Sequence, residues 1–176
     1  MIGRREDRVL KAVTGLEGGV AASGSICGVL TGGSLGLALR YDNALQERGV
    51  SAEAGVLCLV GEYVRWFEER FGSSLCRERC GVDFYKTSGQ LRYFLPGDRV
   101  GKCLWHIRGA IRHLSTVQEK DLPGMDVAPE KIAGDPIHCA QAVLRGIRDR
   151  TGIGDPLLER LSFIFDGGVA SDTATL

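Results

Sequence analysis

The chain has 176 residues, 44% of them hydrophobic and 25% charged, and its 22 Lys and Arg balance 22 Asp and Glu to a formal net charge of zero. That length holds one domain with an ample core, and a neutral chain without a polybasic cluster excludes a nucleic-acid or membrane-surface partner. Gly, at 25 residues, is about twice the usual ~7% but scattered, which excludes low complexity.

Arg4, Arg5, Glu6, Asp7 and Arg8 stand where an export signal carries its apolar core, so the expected location is cytoplasmic. Residues 5–16 predict a short helix with Val9, Leu10, Val13 and Leu16 on one face, ended by Gly18-Gly19 and followed by a loop over 17–25. The longest uncharged run, Val20 to Leu39, is broken by Ser, Thr and Gly and reads as a core helix with its loop, not as a membrane span. With Ser25 as N-cap, a central helix is expected to run to Leu45, placing Cys27 in its first turn. There the helix dipole should lower the thiol pKa. Gly28, Gly32 and Gly36 recur at i, i+4 and i+8 on one face of this helix. Each costs roughly 1 kcal/mol against Ala, so the stripe predicts a close neighbour, either another helix or a cofactor.

Ser51 caps a third helix reaching Phe71, with Leu57, Val60, Val64, Phe67 and Phe71 inward and Glu62, Arg65, Glu68, Glu69 and Arg70 wet; Gly72 stops it. Ser73 or Ser74 caps a short turn carrying Cys76 and Cys80. Residues 82–97 read as irregular, with Gln90 to Leu95 the only strand-like text. Asp98 opens a helix to Leu114, with Val100, Cys103, Leu104, Ile107, Ile111 and Leu114 expected inward. Residues 115–135 form a linker rich in charge, Gly and Pro. Asp135-Pro136 is an N-cap and N1 pair opening a helix to Arg150 with Cys139 in its first turn, and Asp155-Pro156 repeats the device for Leu157 to Phe165. The expected fold is all-α, a compact multi-helix bundle. It divides into a helical domain at 1–114, the linker at 115–135 and a helical hairpin at 136–176.

One repeat stands out. Gly18-Gly19-Val20-Ala21-Ala22-Ser23 returns as Gly167-Gly168-Val169-Ala170-Ser171-Asp172, each after a helix. The pattern predicts a chain that begins partway through one unit and ends partway through the next.

Six cysteines, Cys27, Cys58, Cys76, Cys80, Cys103 and Cys139, without an export signal point to metal or redox chemistry before structural disulfides. Cys27, Cys76 and Cys139 each begin a helix and Cys103 faces inward on another, so these four meet only if the fold brings them together. Cys58 sits mid-helix beside an apolar stripe and reads as core packing. Cys76 and Cys80, one helical turn apart, could be a redox pair or supply a further ligand. His106 with Cys76, Cys80 and Cys103 could complete a zinc site of three cysteines and one histidine. His113 and His138 are expected on the surface, and Trp66 and Trp105 in the core. No carboxylate or histidine pair stands out for general acid–base work. The GG loops lack a following Gly-Lys-Ser/Thr, which argues against a phosphate cradle.

Cys27-Gly28-Val29-Leu30-Thr31-Gly32 resembles the CGAxxG motif of the redox-active C-GCAxxG-C-C family, with Val29 in place of the usual Ala. The family's other marks have counterparts in the segment Cys139 to Leu144, the GG loop, Phe71-Gly72-Ser73-Ser74-Leu75-Cys76-Arg77, and Cys103 on a later helix. They come in permuted order, with the family's first part at this chain's end. Relatives include a cytochrome with an iron–sulfur centre beside its haems. The resemblance therefore implies a cluster, 2Fe–2S or 4Fe–4S, ligated by Cys27, Cys76, Cys103 and Cys139. Gly28 and Gly32 would let the cluster approach the backbone. The absence of Cys-x-x-Cys-His argues against covalent haem.

The expected activity is electron transfer to a redox partner protein, with no substrate chemistry of its own; zinc in place of iron would mean a structural site. Two readings from other classes stand beside it. One is a thiol–disulfide enzyme or sensor using Cys27 with Cys76 or Cys80, and the other is a non-catalytic helical interaction module with core cysteines. The permuted order leaves three arrangements: one displaced copy, a homodimer exchanging the C-terminal segment, or part of a tandem duplication.

Overall fold

A computed structural model describes residues 6–95, 98–117, 122, 138–165 and 169. The protein is all-α; the structure is 76% helical, with nine α-helices and no strand element among the described residues. No helix among these residues is long and apolar enough to cross a membrane.

The chain forms two compact units: residues 1–33 with 63–117, and residues 34–62 with 118–176. The division does not follow chain order, because two helices, α2 (Gly28–Arg40) and α4 (Val50–Phe71), each run from one unit into the other.

In the first unit, α1 (Asp7–Ala12) tightens into a 3-10 turn over Val13–Leu16. The second half of α4 buries Val64, Phe67 and Phe71, as its periodicity predicts, and Tyr63 beside them. Then come α5 (Cys76–Cys80), α6 (Thr87–Phe94) and α7 (Asp98–Thr116). Three expectations fail here. The central helix starts at Gly28, not Ser25, because Gly24, Ser25 and Cys27 use backbone groups elsewhere: Cys27 N donates to Ser74 O at 2.8 Å, Cys76 N to Ser25 O at 2.7 Å and Arg77 N to Gly24 O at 2.9 Å. The strand-like Gln90–Leu95 is helical. A lone extended segment would leave its backbone unpaired, whereas Gln90 N donates to Lys86 O at 3.0 Å and the Gln90 amide to Phe84 O at 2.9 Å. Gly89 permits the tight start of α6, since a Cβ there would lie 1.9 Å from Asp83 O.

The third failure concerns α7, which is rotated from its apolar stripe. His106 and Ala110 are buried, while Leu104, Ile107 and Ile111 are exposed and Trp105 is 49% exposed. The cause is the Phe71 ring, which sits against Gly109, where a Cβ would meet it at 2.9 Å, and edge-on to His106 at 4.5 Å. Small residues admit that ring; the leucines and isoleucines would not. His113, expected on the surface, stacks on Trp66 at 3.9 Å.

In the second unit, the helix expected to reach Leu45 breaks at buried Tyr41 and resumes as α3 (Asp42–Arg48). The buried Asp42 carboxylate accepts from Arg160 Nε at 2.7 Å and from the Gln46 amide at 3.0 Å. The first half of α4 buries Ala52, Val56, Leu59 and Val60, with Cys58 half-buried beside them. Next come α8 (Cys139–Thr151), α9 (Pro156–Leu161) and a 3-10 turn over Ser162–Phe165. Asp155 caps α9 as its Asp-Pro pair predicts, accepting from Leu157 N at 2.9 Å. His138 is buried, not on the surface, with Nε2 3.6 Å from Glu53. Asp135-Pro136 and most of the second GG copy lie outside the described residues, as does most of the expected linker.

Candidate functional site

The site begins in the GG loop. Gly18, Gly19, Val20, Ala21 and Ala22 all have positive φ, between 50 and 78°, and so form a left-handed turn. For Val20, Ala21 and Ala22 that conformation costs roughly 1–2 kcal/mol each. The turn is held by Ala21 N donating to Gly15 O at 2.8 Å and Ala22 N to Glu17 O at 2.9 Å. It delivers residues 24–27 antiparallel to 74–77, with Ile26 and Leu75 as the bridge pair. This pairing ties Cys27 and Cys76 into one backbone framework although 49 residues of sequence separate them.

Cys27 precedes α2, and its sulfur accepts from the N–H groups of Val29 and Leu30. Burial nevertheless pushes its pKa up, overriding those bonds and reversing the expectation from the helix dipole. Cys76 and Cys80 bracket α5 with their sulfurs 3.7 Å apart, and Cys103 of α7 lies 3.7 Å from Cys80. Cys76, Cys80 and Val82 form a small buried cluster packed by Phe84, Tyr93 and Cys103.

Tyr93 O–H donates to Cys103, and sulfur–sulfur bonds join Cys103 to Cys80 and Cys80 to Cys76. The hydrogen bond to Cys80 holds the Cys76 pKa below the usual thiol range despite its burial. Cys80 is pushed up to about 12: its hydrogen bond to Cys103 favours the thiolate, but its hydrogen bond to Cys76, burial and the neighbouring thiols outweigh that. Cys103 is raised by its hydrogen bond to Cys80 and by burial.

All four sulfur residues, Cys27, Cys76, Cys80 and Cys103, line one cavity of about 630 Å³, with Gly28 and Gly32 on its wall. The close approach expected along the glycine stripe is made instead at Gly33, where a Cβ would lie 2.6 Å from the Tyr63 ring; at Gly32 it would meet nothing within 4 Å. Arg79 and His106 also line the cavity, with Arg79 Nη2 2.5 Å from His106 Nε2. Burial, then the charges of Arg79 and Lys102, pushes the His106 pKa down to about 4, so the ring is neutral and accepts at Nε2.

Of the four expected ligands, the structure brings Cys27, Cys76 and Cys103 to this cavity, together with Cys80. Cys139 belongs to the second unit, where it opens α8 and is exposed. The signal for Cys80 was its one-turn spacing from Cys76; Arg79 and Tyr93 carried no signal in the sequence. Among the described residues, no three His, Cys, Asp or Glu side chains gather round one point closely enough to hold a single metal ion.

A helical unit with four free thiols around one cavity defines a redox-active cysteine protein. The chain belongs to the family described as "Putative redox-active protein (C_GCAxxG_C_C)", whose sequence model matches residues 1–115. That span covers Cys27, Cys76, Cys80 and Cys103 and ends before Cys139. No curated protein and no solved structure matches the chain.

Proposed function

We propose that this protein carries an iron–sulfur cluster on Cys27, Cys76, Cys80 and Cys103 and passes electrons between protein partners. The observation that carries the reading is that four thiols from three chain segments line one cavity. Thiolates are the usual ligands of such clusters, which accept and release single electrons. The 3.7 Å gaps between neighbouring sulfurs match the edge of a thiolate tetrahedron around one metal, so two of these thiols are spaced to share one iron whose remaining positions sulfide would fill. Here Cys80 supplies the fourth sulfur in place of Cys139. The two amide donors at Cys27 and the Tyr93 hydroxyl at Cys103 would stabilise sulfur-borne negative charge. Gly28 and Gly32 leave their part of the cavity wall bare of side chains.

Anaerobic reconstitution of the full chain with ferrous iron and sulfide tests this. Iron, acid-labile sulfide and a sulfur-to-iron absorption band are expected. Serine at position 27, 76, 80 or 103 should reduce uptake sharply, and Cys58→Ser and Cys139→Ser should not. A colourless, iron-free protein with intact thiols would overturn the proposal.

A second reading is favoured by the 3.7 Å gap between Cys76 and Cys80 and by the stabilised Cys76 thiolate. The pair would give two electrons and two protons to a disulfide substrate, forming a Cys76–Cys80 disulfide and two substrate thiols. One equivalent of a small disulfide reduced per metal-free chain, a reaction abolished by Cys76→Ser, would select it.

A further inference from the structure

Arg79 brings a positive charge to the thiol cavity with one of its buried donors unused. Its Nη2 donates to neutral His106, and its guanidinium carbon lies 5.8 Å from the Phe71 ring centroid. Its Nε is buried and has no hydrogen-bond partner among the described residues. A buried charged donor without an acceptor is unfavourable unless another group supplies one. His106 fixes the fork from one side: it is 1% exposed, and only Nε2 can accept when the proton sits on Nδ1. Arg79 lines the thiol cavity and acts electrostatically on both Cys27 and Cys103, which come from different segments.

We propose that Arg79 is the counter-charge of the metal centre, donating its free Nε–H to a ligand sulfur or a bridging sulfide and stabilising the reduced state. This rests on the iron–sulfur reading above. One-electron reduction adds one negative charge to the centre, taken from a one-electron donor. A fixed positive charge beside it favours the reduced form and raises the potential. Arg keeps its proton at all accessible pH, so this contribution does not change with pH.

The test uses the reconstituted full chain as wild type, Arg79→Gln, Arg79→Lys and, as an exposed charge control, Arg108→Gln. Iron and sulfide per chain are measured first, then the midpoint potential by anaerobic titration with an artificial one-electron reductant. Arg79→Gln should titrate at a more negative potential than wild type, Arg79→Lys between the two, and Arg108→Gln with wild type. Equal potentials for Arg79→Gln and wild type would overturn the proposal, as would an equal shift in Arg108→Gln. If Arg79→Gln takes up no iron but Arg79→Lys does, the charge is required to hold the centre and the proposal stands. If both fail to load while keeping native circular dichroism, it falls. A wild type that takes up no iron refutes the iron–sulfur reading itself, so the two failures appear in different samples.

Discussion

Two adjacent glycines of α2 should respond oppositely to the same methyl group. At Gly33 a Cβ would lie 2.6 Å from Tyr63 Cε1 and 2.6 Å from its hydroxyl oxygen, with Cζ at 2.7 Å. Tyr63 is 1% exposed and donates to Val29 O at 2.9 Å, so its ring cannot yield without losing that bond. Overpacking costs about 1–3 kcal/mol and the lost hydrogen bond about 0.5–1.5 kcal/mol, against a helix-propensity gain of about 1 kcal/mol. Gly33→Ala should therefore lose about 0.5–3.5 kcal/mol on those magnitudes. At Gly32 the same methyl meets nothing within 4 Å, and only the propensity gain of up to about 1 kcal/mol remains. Trp66 and Trp105 both belong to the first unit, so urea unfolding followed by tryptophan fluorescence reports on the unit concerned. Because Gly32 lines the thiol cavity, iron uptake by Gly32→Ala should fall even as the metal-free protein becomes more stable. A Gly33→Ala protein as stable as wild type, or the same sign at both positions, would refute the packing account.

In the metal-free, reduced protein, Cys76 should be the first of the cavity thiols alkylated by iodoacetamide below pH 9, and peptide mass spectrometry would show which sulfur carries the label; preferential labelling of Cys103 would contradict the lowered pKa at Cys76 and the raised one at Cys103. His106 has a folded pKa of about 4 against an ordinary 6.5, so the unfolded chain binds the extra proton and stability is lost as pH falls from about 6.5 toward 4. His106→Gln should flatten that part of the stability profile, and an unchanged slope would count against a neutral ring. Asp155→Ala removes the acceptor for Leu157 N and Leu158 N and should cost about 0.5–2 kcal/mol. Amide exchange over residues 156–161 would measure it, Asp155→Asn should restore most of the loss, and exchange as slow as in wild type would refute the cap.

The Cys-Gly motif from Cys27 to Gly32, the capped start of α9 and the buried face of α4 could be read from residues alone, because caps and helical periodicity act over one or two turns of chain. The family resemblance rested on equally local text. Tertiary structure decided where α2 begins, since residues 24–27 pair with 74–77 before they can join a helix. It also decided the rotation of α7: the Phe71 ring packs against Gly109 and His106, so the leucines and isoleucines turned outward. The placement of Cys80 between Cys76 and Cys103, and of Arg79 beside them, came from the same source. Which sulfurs meet depends on backbone pairing and ring packing between segments far apart in the chain, and no periodicity within either segment encodes the choice of partner.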